Sequence, residues 1–247
     1  MKKKHSAILL MFGFILFSAG SMASTAWTLE YNPEKPLAMV RRFKPQVIVK
    51  ERDKNEWINA HRAHQLFSSD TLRTDHEGHA VVQFMDNSIA RLKPNTELTV
   101  TGESNSVRST SARMAVEIGE IYLNVTGQQS NYDIVTPTAV AAVKGTSFVS
   151  QIRADGSSTF TGLSGIVEVT ATASGRQVNL NRRDRAFVES TGNEIEITRV
   201  SEQEVNDMEQ EYTHDFDETA TPGTLRLRFR NSDGQLREVE LDYFDNE

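Results

Sequence analysis

From Gln46 to Val200, short runs of branched and aromatic residues alternate with polar ones and are broken repeatedly by turn-forming residues. That period of two commits most of the chain to β-structure. Val47-Ile48-Val49, Val81-Val82-Gln83-Phe84, Phe148-Val149-Ser150-Gln151-Ile152, Ile166-Val167-Glu168-Val169 and Ile195-Glu196-Ile197 are the clearest runs. Ile121, Leu123 and Val125 alternate with Tyr122, Asn124 and Thr126, so the sheet has one dry side. Asp155-Gly156 is a hairpin turn signal, because Gly accepts the positive φ of a tight reversal; Asp86-Asn87-Ser88 turns the chain in the same manner. Two segments, starting at Gly119 and Gly165, each continue as a strand. Coils of a β-roll or paired strands of a β-sandwich would both give this echo, so the expected fold is mainly β in one of those two forms.

After Val200 the period changes. Ser201-Glu202-Gln203-Glu204 has the form of a capping box, with Ser201 accepting from the backbone and Glu204 reaching back. Val205, Met208, Tyr212 and Phe216 follow at helical spacing, which predicts an amphipathic acidic helix over residues 201–216 laid against a β domain of residues 46–200. A polar stretch then leads to a C-terminal β-hairpin at residues 223–244. A three-residue loop, Ser232-Asp233-Gly234, would set Leu227 opposite Val239, Leu225 opposite Leu241, Arg226 opposite Glu240 and Arg228 opposite Glu238. An isolated hairpin is marginal in water, so its apolar face must dock on the β domain or on a partner protein.

The N-terminus carries Lys2, Lys3 and Lys4, then an apolar run at residues 7–17 and small residues at 21–26. That run is too short to cross a bilayer comfortably, and the pattern is a secretory signal peptide of residues 1–23, with cleavage after Ala26 as the second choice. Periplasmic localisation follows, with secretion as the alternative and no transmembrane span after cleavage. Residues 24–45, with Pro33, Pro36 and Pro45, form an extended lead-in. The absence of Cys removes lipid attachment, thiolate metal sites and thiol nucleophiles, and 224 mature residues can bury a core without disulfides. The formal charge is −7, or −10 without the three leader lysines. Residues 194–221 hold ten acids against one arginine. Nucleic acid is therefore not an expected partner.

Candidate chemistry is sparse. His61-Arg62-Ala63-His64 and His76-Glu77-Gly78-His79 are two H-x-x-H pairs within nineteen residues, and imidazole ligates zinc, copper or nickel, so a periplasmic metal-binding or metal-sensing protein using His61, His64, His76 and His79 is the alternative reading. Gly162-Leu163-Ser164-Gly165 lacks the spacing of a nucleophile elbow. Lys144-Gly145-Thr146 inverts the order of a phosphate loop. The acidic helix face offers its carboxylates neither burial nor a reason for shifted pKa values, and no loop has calcium-ligand spacing. No catalytic residue and no cofactor is expected.

Two segments stand about fifty residues apart. Asp86-Asn87-Ser88-Ile89-Ala90-Arg91-Leu92-Lys93-Pro94-Asn95-Thr96-Glu97-Leu98 is the first, and Thr136-Pro137-Thr138-Ala139-Val140-Ala141-Ala142-Val143-Lys144-Gly145-Thr146-Ser147-Phe148 the second. At that separation they resemble the FecR-domain family of bacterial periplasmic proteins, and the resemblance runs from Trp57 to Val188. Asn87 stands where the family usually has Gly, and Lys144 where it usually has Arg. Asn tolerates left-handed backbone, so the turn survives; Lys keeps the charge and loses the planar fork. Turn chemistry accounts for Pro94, Asn95, Pro137 and Gly145. It does not account for Lys144, which is the candidate binding residue. In the protein that gives the family its name, a cytoplasmic anti-sigma segment precedes a membrane helix; here the export signal comes first, so no such arm is expected. The resemblance implies a non-enzymatic envelope signalling or structural module that binds another envelope protein or a cell-wall component.

Overall fold

The computed structural model describes residues 35–44, 46–106, 109–126, 129–217, 221–230 and 236–245, with backbone alone for 42, 105, 106 and everything beyond 212. The signal peptide expected at residues 1–23 falls outside the described residues. In chain order the strands are β1 (Ala38–Lys44), β2 (Val47–Lys50), β3 (Trp57–Asn59), β4 (His64–Leu66), β5 (Thr71–Thr74), β6 (His79–Phe84), β7 (Ile89–Leu92), β8 (Glu97–Ser106) and the long β9 (Ser109–Asn124). Then come β10 (Asn131–Val135), β11 (Ala139–Val143), β12 (Ser147–Ile152), β13 (Ser158–Ser164), β14 (Val167–Ala171), β15 (Gln177–Leu180), β16 (Asp184–Val188) and β17 (Ile195–Arg199). Helix α1 (Glu202–Asp217) and a hairpin of β18 (Thr221–Arg230) and β19 (Leu236–Asp245) follow.

Two hydrogen-bonded layers share β9. The first runs β4-β1-β6-β7-β9-β12-β13-β16-β17. The second runs β3-β2-β5-β8-β9-β10-β11-β14-β15. Every pairing is antiparallel except β9 with β10. Residues 119–124 of β9 serve the first layer and residues 109–118 the second. Gly119, at φ +110°, stands at the changeover, where a Cβ would lie 2.3 Å from Thr96 Oγ1. Beyond β9 the hairpins β10/β11, β12/β13, β14/β15 and β16/β17 alternate between layers. The architecture therefore has the two layers of a sandwich and the winding of a roll.

One continuous core of buried residues from both layers fills the interior, from Val40, Leu66, Phe84, Leu92, Ile121 and Phe148 to Leu98, Met114, Tyr132, Ile134 and Val169. The lead-in ends inside this core: Leu37, Ala38 and Val40 are buried, and β1 pairs with both β4 and β6. A second, smaller cluster lies on the outer face of the first layer. There Val81, Val149, Leu163 and Val200 meet Val205 and Tyr212 of α1, with Ile89, Tyr122 and Met208 beside them. This explains why β12 and β13 are buried almost without alternation.

Ser201 caps α1, its Oγ accepting from Glu204 N–H at 3.1 Å. The second half of the expected capping box does not form, because the Glu204 carboxylate accepts from Arg185 instead, at 2.7 Å. The terminal hairpin has Leu225 opposite Leu241, Arg226 opposite Glu240, Leu227 opposite Val239 and Arg228 opposite Glu238. Its loop lies outside the described residues. The hairpin forms a two-stranded sheet of its own.

Candidate functional site

Both signature segments form turns whose side chains reach to other strands. The Asp86 carboxylate, 4 % exposed, accepts from the Ser88 N–H at 2.9 Å and from the Tyr132 hydroxyl of β10 at 2.8 Å, a bond that crosses between the layers. Burial pushes the Tyr132 phenol far above its ordinary pKa, and the Asp86 charge adds to the shift. Asn87 and Asn95, on either side of β7, take left-handed backbone at φ +70° and +56°. Thr96 is fully buried. Its N–H donates to Thr74 Oγ1 at 2.9 Å, while its hydroxyl donates to the Lys93 carbonyl at 2.8 Å and accepts from the Glu120 N–H at 3.0 Å.

In the second segment Thr136 Oγ1 accepts from the Ala139 N–H at 3.0 Å and from the Ser158 hydroxyl at 2.8 Å. The Thr138 hydroxyl donates to the Gly156 carbonyl at 2.9 Å, so the Thr-Pro-Thr turn grips the Asp155-Gly156 hairpin. That hairpin is tied within itself: the Ser157 hydroxyl and N–H donate to Asp155 Oδ1 and hold the Asp155 carboxyl below its usual range. Lys144 stands exposed at the turn between β11 and β12, beside Gly145 at φ +64°. No hydrogen bond or ion pair engages it among the described residues.

The four histidines separate into two pairs. His61 and His64 flank a tight turn, rings 4.4 Å apart, beside a cavity of about 310 Å³ that Glu51 and Phe67 also line. The His61 Nδ1 bonds the Arg62 carbonyl at 3.0 Å, and the buried His64 Nδ1 has no partner. Burial lowers the His64 pKa, and the neighbouring His61 lowers it further. His76 is exposed in the β5/β6 turn, and His79 opens β6. Along β1, His64 pairs with Val40 on one side and His79 with Lys44 on the other, about 13 Å apart along the strand. The structure thus joins His61 to His64 and keeps both from His76 and His79. Among the described residues no three His, Asp or Glu side chains are grouped to hold a metal ion.

What the signature builds on the surface is an open groove of about 620 Å³ where the Lys93-Pro94-Asn95 turn, the Ile118–Glu120 bend, the end of β12 and α1 meet. Lys93 Nζ donates to Glu211 of α1 at 2.7 Å and lies 5.0 Å from the centre of the Tyr212 ring. The Tyr212 hydroxyl donates to Glu120 Oε1, and Gln151 Nε2 donates to Glu120 Oε2 at 2.8 Å. Ile118, 38 % exposed, and Arg153, stacked over Phe187 at 5.7 Å, complete the lining. Sequence reasoning missed these groove residues, and also Arg182, Arg183 and Arg185, which contact α1. The available signal was that basic trio itself, set in an acidic chain ahead of the acidic helix that opens at Glu202.

Residues 70–168 match the family model described as FecR protein. The likeness to FecR rests on those residues. The matched span includes both signature turns and β9, the strand common to both layers; α1 and the arginines that hold it lie beyond the FecR match. Two crystal structures, each of a candidate anti-sigma factor from Parabacteroides distasonis, are similar to this chain. One is 20% identical and covers 66% of this chain and 70% of its own, with a TM-score of 0.47; the other is 22% identical and covers 57% and 64%, with a TM-score of 0.47. Comparison with curated proteins gives no match. Among the described residues no helix is long and apolar enough to cross a membrane.

Proposed function

We propose that this FecR-domain chain is a non-enzymatic periplasmic interaction module with a signalling or structural role in the envelope, binding another envelope protein through the groove beside its Lys93-Pro94-Asn95 turn. A cell-wall component is the alternative ligand. The observation that carries the reading is the division of labour within the signature: Thr96, Asp86, Thr136 and Thr138 spend their polar groups holding strands together, while the same turn presents Lys93, Pro94 and Asn95 to an open groove. The basic leader and short apolar run support export.

The test is a photo-crosslinking amino acid placed at Asn95 or Arg153, with Gly175 in the β14/β15 turn as control. A defined partner captured from the periplasm at the first two positions and not at the third is the expected result. Equal capture at all three, or none at native abundance, overturns the groove assignment. N-terminal sequencing of the exported protein should begin at Ser24.

A further inference from the structure

The outer face of the first layer is covered by α1. Val205, Met208 and Tyr212 enter an apolar strip of Val81, Ile89, Tyr122, Val149, Leu163 and Val200. In the ion pairs around that strip each cation belongs to the β domain and each anion to the helix, while the β-domain carboxylate of Glu120 accepts from the Tyr212 hydroxyl. Arg182 bonds Glu202 and Glu209 at 2.6 and 2.8 Å, Arg185 bonds Glu204 at 2.7 Å, and Lys93 bonds Glu211 at 2.7 Å.

The arginines are positioned by the sheet itself. Arg182 Nη1 donates to the Leu163 carbonyl at 2.6 Å, Arg183 Nε to the Val200 carbonyl at 3.0 Å, and Arg185 Nε to Thr161 Oγ1 at 3.0 Å. Each guanidinium therefore spends part of its donor set on the layer and keeps the rest for an acidic ligand, so the basic rim does not depend on the helix for its geometry. The ion pairs are open to solvent and individually weak, and salt screens them.

We propose that this face is a docking site for an acidic amphipathic helix with apolar residues at positions i, i+3 and i+7, that α1 is its exchangeable resident, and that the partner protein presents such a helix in its place. The proposal deepens the interaction reading above and rests on it. Helix-in-groove recognition needs an apolar strip, periodic anchors and complementary charge, and all three are present.

The probe is a fluorescein-labelled peptide of residues 201–217, titrated by polarisation against the full-length mature chain. Two variants loosen the resident helix: Val205→Asp with Tyr212→Asp removes its apolar anchors, and Glu202→Lys with Glu209→Lys reverses exposed charges without touching the core. A resident that fills the site lowers apparent affinity by the fraction of time the site is free, so either variant should bind the peptide about tenfold more tightly than the wild type. Adding Arg182→Glu and Arg185→Glu should abolish that gain. Absence of peptide binding to both helix variants, with the β-type circular dichroism and cooperative melt retained, overturns exchange while leaving the groove crosslink to stand or fall alone. Concentration-dependent dimerisation of the wild-type chain in sedimentation, lost in the anchor variant, assigns the site to α1 of a second copy and overturns the partner assignment.

Discussion

Thr96 ties its own turn to two other strands, because its hydroxyl donates to the Lys93 carbonyl and accepts from the Glu120 N–H of β9 while its N–H donates to the Thr74 hydroxyl of β5. Replacing it by Val keeps the volume and takes the hydroxyl acceptor from the Glu120 N–H, while the Lys93 carbonyl keeps the Thr74 hydroxyl, so Thr96→Val should lower unfolding free energy by about 1–3 kcal/mol in urea titrations, with Thr96→Ser losing much less. His64 makes a different prediction. Its pKa is lowered in the folded chain, first by burial and then by His61. The unfolded chain consequently binds more protons below the ordinary histidine value of 6.5, and stability falls as pH drops through that point. Thermal melts should show this slope between about pH 7 and pH 5.5, and His64→Leu should flatten it. Of the residues singled out from sequence, His61 and His64 could be read as a pair because three positions separate them; that His76 and His79 lie elsewhere depends on which neighbours β1 recruits, and no local pattern encodes that.

Helix α1 is held by two kinds of contact of unequal worth. Burying Val205 and Tyr212 contributes about 2 kcal/mol each, whereas half-exposed ion pairs contribute about 0–1 kcal/mol each. Tyr212→Ala should therefore raise amide exchange across α1 far more than Arg182→Ala, and only the second effect should be mimicked by added salt. The helix, its cap and its apolar face were legible because 3.6-residue spacing and Ser201 are local signals. The fate of Glu204 was not, since Arg185 reaches it from a strand 19 residues earlier. The hairpin register was legible for a similar reason: pairing Leu227 with Val239 and Arg226 with Glu240 satisfies both faces at once.

At the scale of the molecule, period-two alternation announced strands without saying how they are ordered. Roll and sandwich share that alternation, and the answer depended on Gly119, where the chain passes from one layer to the other. The lead-in was harder to read, because three prolines obscured a strand that Ala38 and Val40 anchor in the core. The terminal hairpin shares no ladder with either layer. Truncation after Asp217 should thus leave the unfolding free energy of the β domain, from urea titration, within about 0.5 kcal/mol of the full chain; a larger loss would mean that the hairpin packs on the domain.

The sharing of β9 has a mechanical corollary. Because one uninterrupted backbone is stitched into both ladders, tension applied at either rim is borne in common, and neither half can yield first. A chain pulled between two anchors should give way in a single rupture under force spectroscopy.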